Sequence, residues 1–150
     1  VYIERDGEFL GKYIFKNEYR DGLAKMAKEL KDYKIFAFDG EAKAMFIASD
    51  RTNPNEETKF DFFDMDFNHL PFAQGHPWAD GPLSKPVNFE QMRELARKLA
   101  KGLQQVRVDF YDINGQIYFG ELTFFHFSGN CPFQPVEWDE RIGSWWTLEK

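Results

Sequence analysis

Two strand-like segments on either side of Asn114-Gly115 constrain the fold of this chain more than any other feature. In Gln105–Asp112 apolar and polar residues alternate, and Gln116–Thr123 supplies a second run rich in aromatic and branched residues. Successive side chains of a strand point to opposite faces, and Asn-Gly between two such segments is a strong turn signal. The sequence therefore predicts a β-hairpin.

The turn chemistry leaves two registers open for this hairpin. A two-residue turn pairs Ile113 with Gln116 and puts Asp109 and Glu121 on opposite faces. A three-residue loop with a bulge pairs Gln116 with Asp112 instead, and puts both acids on one face. We expect the bulged register, because the other register turns Glu121 toward the apolar face of the hairpin.

A shared face would bring the carboxylates of Asp109 and Glu121 together. Two carboxylates one strand apart can share Mg²⁺ and leave room for water and phosphate oxygens, which is how that ion prefers to be held. The alternative is a surface hairpin in which Arg107 pairs with Glu121 for a modest gain in stability. The pattern of residues leaves both interpretations open.

Periodicity along the rest of the chain predicts an α+β fold. Apolar residues three and four apart predict helices over Glu18–Lys31 and from Asn88 to Gly102, with Asn88 and Gln91 as a capping box. Further strands are predicted at Val1–Glu4, Glu8–Phe15, Lys34–Phe38, Ala44–Ala48 and Lys59–Phe63. Two main helices on antiparallel hairpins make one α+β domain over residues 1–150.

Composition restricts the class of protein. Aromatic residues make up 18% of the chain, and so much aromatic area requires a packed core. The net charge of −6 argues against nucleic acid as the main partner, because that role needs a basic surface.

No apolar run approaches the roughly 20 residues that span a bilayer. Cys131 is the only cysteine, so no intrachain disulfide can form and we expect a cytoplasmic protein.

Several motifs, taken in order, resemble a known family. Arg107-Val108-Asp109-Phe110, the Asn114-Gly115 turn and Tyr118–Thr123 are similar to the metal-binding hairpin of ATP-grasp enzymes. The other matching segments are Asp32-Tyr33-Lys34, Phe38-Asp39-Gly40, Asp50-Arg51, Phe63–Asp66, Lys85-Pro86, Ser128-Gly129 and Trp138-Asp139. Together they resemble the TupA-like ATP-grasp family over most of Asp32–Leu148.

The resemblance implies a function. It implies an ATP-grasp ligase-like enzyme that uses Mg²⁺ and ATP to activate a carboxylate and joins it to an amine or similar acceptor. The family is associated with bacterial surface-polysaccharide biosynthesis and is often labelled glycosyltransferase, so a small acidic or sugar-linked substrate is implied. Because the family's catalytic unit is larger, we expect Val1–Lys150 to be its C-terminal portion. Such a portion is expected to associate with itself or to leave an apolar patch open.

The resemblance also assigns metal ligands. Asp109 and Glu121 would bind Mg²⁺, and Thr123 stands where many ATP-grasp enzymes have Asn. Without metal the two acids should repel each other, and Arg107 can neutralise only one of them. Removing either acid is therefore expected to cost little stability.

Four further residues are implied to contact substrates. Arg107 would position phosphate or substrate, and Lys34 and Arg51 would contact ATP phosphates or an acidic substrate. Glu4 lies in a Tyr-Ile-Glu strand like the family's hinge beside the adenine. No phosphate-binding glycine loop is present in the sequence. A non-catalytic interaction domain that associates through exposed aromatic residues is therefore the alternative function.

Overall fold

The computed structural model describes residues 2–5, 8–12, 16–26, 30–51 and 53–147, with side chains from Arg20 onward. The elements are β1 (Tyr2–Arg5), β2 (Glu8–Lys12), α1 (Lys16–Met26), β3 (Asp32–Phe38), β4 (Glu41–Ser49), β5 (Lys59–Asp64), α2 (Phe89–Ala100), β6 (Gln105–Ile113), β7 (Gln116–Thr123), a short turn (His126–Gly129) and α3 (Glu137–Gly143). Strands β1 and β2 form a separate antiparallel pair. The other five form one antiparallel sheet in the order β5-β4-β3-β6-β7, and the predicted α+β class is confirmed.

The five-stranded sheet is covered on both faces. Alternation along β3 sends Ile35 to the face that packs on α2, where Met92 and Ala96 are fully buried. The opposite face carries a cluster of phenylalanines covered by the loop and helix that follow β5 and β7. Its buried aromatic members are Phe36, Phe38, Phe46, Phe60, Phe62, Phe72 and Trp138. Asp32 and Lys34 alternate with Ile35 and therefore lie on this second face.

The turn of the β6–β7 hairpin shows that the predicted register was wrong. Ile113 pairs with Gln116 across a two-residue turn, rather than Asp112 with Gln116. Asn114 and Gly115 have φ angles of 53° and 78°. Two successive positive φ values define the type I′ turn, whose twist matches that of the strands.

A bulge farther along β7 nevertheless returns the two acids to one face. Gly120 and Glu121 together oppose Asp109, and beyond them Arg107 pairs with Thr123. A Cβ atom at Gly120 would come within 3.0 Å of the carbonyl oxygen of Asp109, so the strands approach too closely for a side chain there. A glycine inside a strand pattern indicates such a bulge. The predicted shared face was correct, but the bulge lies at Gly120 and not at the turn.

The capping box predicted for the second helix does not form. Helix α2 begins at Phe89, and Asn88 makes no side-chain capping hydrogen bond. The Asn88 side-chain amide instead donates to Asp112 Oδ1 at 3.0 Å, and its backbone N–H donates to Asp112 Oδ2 at 3.3 Å. These two bonds to a charged acceptor fix the Asn88 side chain on Asp112, and its oxygen does not accept from the N–H groups of the helix.

The helices are short. Helix α1 starts at Lys16 rather than at Glu18, residues 27–29 of the predicted helix lie outside the described part of the chain, and Leu30 and Lys31 are not helical. Helix α2 ends before Gly102, as predicted, and that glycine has a φ angle of 76°. Within the residues described, no helix combines the length and the apolar character needed to cross a membrane.

Candidate functional site

Strand pairing brings charged residues together on the second face of the sheet. Lys34 of β3 lies directly opposite Asp109 of β6, and Asp32 lies opposite Tyr111. A cavity of about 330 Å³ opens over this end of the sheet. Its lining includes the basic residues Arg20, Lys34, Arg51 and Arg107, the acids Asp32, Asp109 and Glu121, and the aromatic residues Phe46, Phe60, His76, Tyr111, His126 and Phe127.

Asp109 accepts three hydrogen bonds from two cationic side chains. Its Oδ1 accepts a hydrogen bond from Arg107 Nε at 2.7 Å, and its Oδ2 accepts one from Arg107 Nη2 at 2.8 Å. Lys34 Nζ also donates to Oδ2. The Asp109 side chain is only 4% exposed. A bidentate arginine and a lysine on one buried carboxylate make a strong and geometrically fixed group.

The charged network continues from Lys34 to the edge of the cavity. Lys34 Nζ lies 3.3 Å from Asp32 Oδ2, and Arg51 Nη1 donates to the same oxygen. Positive and negative side chains therefore alternate from Arg51 to Arg107. Burial, together with the charge of Asp32, raises the pKa of Tyr111 and keeps its phenol protonated. Buried charges are costly unless they are paired, and here each acid faces a cation.

Three oxygen atoms converge on one nitrogen of Arg107. Arg107 Nη2 donates to Asp109 Oδ2 at 2.8 Å, to Thr123 Oγ1 at 2.9 Å and to Glu121 Oε1 at 3.3 Å. Thr123 Oγ1 in turn donates to Glu121 Oε1 at 3.3 Å. The bulge at Gly120 makes this convergence possible, since it aligns Glu121 with Asp109.

The converging oxygens fit the donor chemistry of Mg²⁺. That ion is usually held by one or two carboxylates and completes its shell with water and substrate phosphates. The residues that the structure describes contain no group of three His, Cys, Asp or Glu side chains able to hold a metal by themselves. Asp109, Glu121 and Thr123 are the residues that could hold such an ion, and Arg107 Nη2, which now lies among their oxygens, would have to move away.

His126 holds the outer side of the Arg107 guanidinium. Its Nδ1 accepts from Arg107 Nη1 at 2.6 Å, and its Nε2 donates to Gln74 Oε1 at 2.7 Å. Gln74 Nε2 donates onward to the carbonyl oxygen of Cys131 at 2.7 Å. Burial, followed by the charges of Arg107 and Lys34, lowers the pKa of His126 from 6.5 to about 3. The imidazole is therefore neutral, with its proton on Nε2.

The lowered pKa of His126 predicts a loss of stability in mild acid. The unfolded chain takes up a proton on this histidine below about pH 6.5, whereas the folded chain resists it down to about pH 3. Stability contributed by the neutral imidazole is therefore complete above pH 6.5 and falls as the pH drops, by up to about 1.4 kcal/mol per pH unit. Urea unfolding between pH 8 and pH 4 measures this slope, which His126→Gln should reduce. An equal slope in the variant would contradict the assignment.

The structure brings six residues singled out from the sequence into one cluster. They are Lys34, Arg51, Arg107, Asp109, Glu121 and Thr123. The side chain of Glu4 lies outside the described part of the structure. Sequence reasoning missed Asp32, although strand alternation from Lys34 would have placed it on the same face. Arg20 and His126 come from other elements, and no local pattern marks them as members of the site.

Comparison with known families identifies a family model that covers most of the chain. The model of a family described as TupA-like ATPgrasp matches residues 12–147 of the 150-residue chain. No curated protein and no solved structure matches the chain. The matched span contains the five-stranded sheet and, among the residues that the structure describes, all those that line the cavity.

Proposed function

The chain belongs to the TupA-like ATP-grasp family, and we propose that it is an ATP-grasp ligase-like protein. In this proposal it binds Mg²⁺ and ATP at the β6–β7 hairpin, activates a carboxylate and joins it to an amine or similar acceptor. The family resemblance alone supports a place in bacterial surface-polysaccharide biosynthesis, with a small acidic or sugar-linked substrate.

The convergence of three oxygens on Arg107 Nη2 carries this proposal. A surface hairpin with a single Arg107–Glu121 ion pair does not need a buried second acid, a glycine bulge and a threonine hydroxyl at the same point. In the structure a guanidinium nitrogen supplies the positive charge that these oxygens require. A divalent ion bound with ATP would supply it in the working protein and neutralise the phosphate oxygens.

The cations of the site are suited to phosphoryl transfer. Such a reaction depends on positioning and on neutralising the charge of the transferred group, with little covalent chemistry by the protein. We assign Lys34, Arg51 and Arg107 to contacts with the phosphates and the substrate carboxylate. Asp109 holds Lys34 and Asp32 holds Arg51 in place before any ligand arrives, so these two cations need little reorganisation on binding. Arg107 Nη2, in contrast, has to leave the three oxygens when the metal binds.

Calorimetric titration of the 150-residue chain with ATP tests this function. We expect a saturable heat in the presence of Mg²⁺, because the ion completes the contact between the hairpin acids and the phosphates. The heat should disappear in EDTA and in Glu121→Gln. Equal heats with and without Mg²⁺ would contradict metal binding at the hairpin.

An exposed aromatic segment favours a second function, which is association with another protein. Phe124 and Phe125 follow β7, which ends the strand order of the sheet, and Phe125 is 79% exposed. Exposed apolar groups of this kind are typical of interaction surfaces. A chain that self-associates in sedimentation experiments and gives no heat with Mg²⁺ and ATP would favour this alternative.

A further inference from the structure

The cavity is charged on one side and aromatic on the other, and strand pairing accounts for this division. Lys34 lies between Asp109 on β6 and Phe46 on β4, and Phe46 pairs in turn with Phe62 on β5. A row of side chains on this face therefore changes from charged to aromatic as it crosses from β6 to β5. The guanidinium of Arg107 lies 5.8 Å from the ring centre of Phe46, so the two sides meet inside the cavity.

The aromatic side is built from three rings brought together from distant segments. The Phe60 ring centre lies 4.3 Å from that of His76 and 6.0 Å from that of Phe127. The ring centre of His126, which is hydrogen-bonded to Arg107, lies 4.6 Å from that of Phe127. Phe60 is buried, whereas Phe127 keeps 38% of its surface exposed. Phe127 therefore presents ring surface beside a group of fixed cations.

The backbone at Phe127 is strained in a way that local sequence does not explain. Phe127 and Ser128 have φ angles of 49° and 54°, a conformation that bulky side chains rarely adopt. Such strain persists only where surrounding structure enforces it, and it is concentrated in ligand clamps and active sites. The ring also packs closely on Gly75, where a Cβ atom would lie 3.1 Å from Phe127 Cζ. The Phe127 ring therefore packs on Gly75 on one side and lines the cavity on the other.

We propose that Phe127, Phe60 and His76 bind the planar ring of a ligand whose anionic group lies on Lys34, Arg51 and Arg107. The inference rests on the proposed function and names the class of substrate for that site, a planar ring joined to an anion. A nucleobase joined to phosphate and an aromatic ring joined to a carboxylate share this chemistry. Stacking of a planar ring on an aromatic side chain adds affinity without demanding specific hydrogen bonds.

Matched ligands with and without a ring test this inference. In the presence of Mg²⁺, ATP is compared with inorganic tripolyphosphate, and benzoate is compared with acetate. The variants are Phe127→Ala and Phe127→Leu, the second of which keeps apolar volume but removes the planar ring. Phe125→Ala is the control, since Phe125 belongs to the same segment but does not line the cavity.

We expect both Phe127 variants to lower the affinity for the ring-bearing ligand by about 10-fold and to leave the affinity for its ring-free counterpart unchanged. A loss of affinity for ATP alone shows that the bound ring is a nucleobase, and a loss of affinity for benzoate alone shows that it belongs to an acid substrate. Phe125→Ala should leave the affinities for all four ligands unchanged. If tripolyphosphate binds but neither ATP nor benzoate responds to Phe127→Leu, the inference is overturned. If neither ATP nor tripolyphosphate binds the parent chain, the proposed function fails, and the inference fails with it.

Discussion

Asp109→Asn is expected to lower the free energy of unfolding by about 3–5 kcal/mol, because it leaves two buried cations without their shared carboxylate. Lys34 and Arg107 both donate to Asp109, and each of the three side chains is less than 10% exposed. The sequence had suggested the opposite, that either acid could be removed at little cost. That expectation considered Arg107 alone, whereas the structure adds Lys34 and removes any net repulsion at Asp109.

Glu121→Gln is the matched comparison on the same hairpin. Glu121 is 32% exposed and meets Arg107 at 3.3 Å, so its removal should cost less than about 1 kcal/mol. Urea denaturation of both variants measures the difference directly. Equal losses for Asp109→Asn and Glu121→Gln would show that the two acids belong to one structural pair and not to a buried anchor and a more accessible ligand.

Arg107→Lys is expected to have the largest effect on ligand binding. Arg107 uses Nε, Nη1 and Nη2 to contact Asp109, His126, Glu121 and Thr123 at once. A lysine ammonium cannot reproduce this planar fork, so the remaining oxygens lose their fixed arrangement. We expect affinity for ATP with Mg²⁺ to fall by at least about 10-fold, since a charge-assisted hydrogen bond contributes about 1.5–3 kcal/mol.

Arg97→Lys provides the control for this substitution. Arg97 also forms a bidentate pair, with both distances to Glu41 at 2.9 Å, but the pair is exposed to solvent. Exposed pairs of this kind contribute little to stability. Arg97→Lys should therefore leave both the melting temperature and the affinity for ATP unchanged. A similar loss of affinity in both variants would indicate a general effect of arginine replacement.

Local sequence patterns were sufficient to predict the hairpin but not its register. Alternation in β6 and the Asn114-Gly115 turn depend on neighbouring residues only, and both were identified correctly as parts of a hairpin. The register beyond the turn depends on Gly120. A Cβ atom at this position would lie 3.0 Å from the carbonyl oxygen of Asp109 on the neighbouring strand. Gly120 was the signal for the bulge in the sequence. The predicted bulge lay at the turn because only the Asn114-Gly115 turn was used to set the register.

Contacts between distant segments explain what the sequence could not predict. Asn88 was expected to cap its own helix, but its backbone N–H and its side-chain amide donate to Asp112 on β6, and this contact fixes the side chain away from the capping position. His126 reaches Arg107 through a turn with left-handed backbone, and Arg20 reaches the cavity from α1. Neither arrangement has a periodicity or spacing that identifies it in the chain.

Paramagnetic broadening by Mn²⁺ tests most directly whether the hairpin acids bind a divalent ion together with ATP. Mn²⁺ replaces Mg²⁺ at oxygen-rich sites and broadens the NMR signals of nearby nuclei. With ATP present, we expect the amide signals around Asp109, Glu121 and Lys34 to broaden first, and Glu121→Gln to abolish the effect. Broadening confined to surface acids such as Glu90 and Glu94 on α2, with the hairpin signals unchanged, would contradict the proposed site.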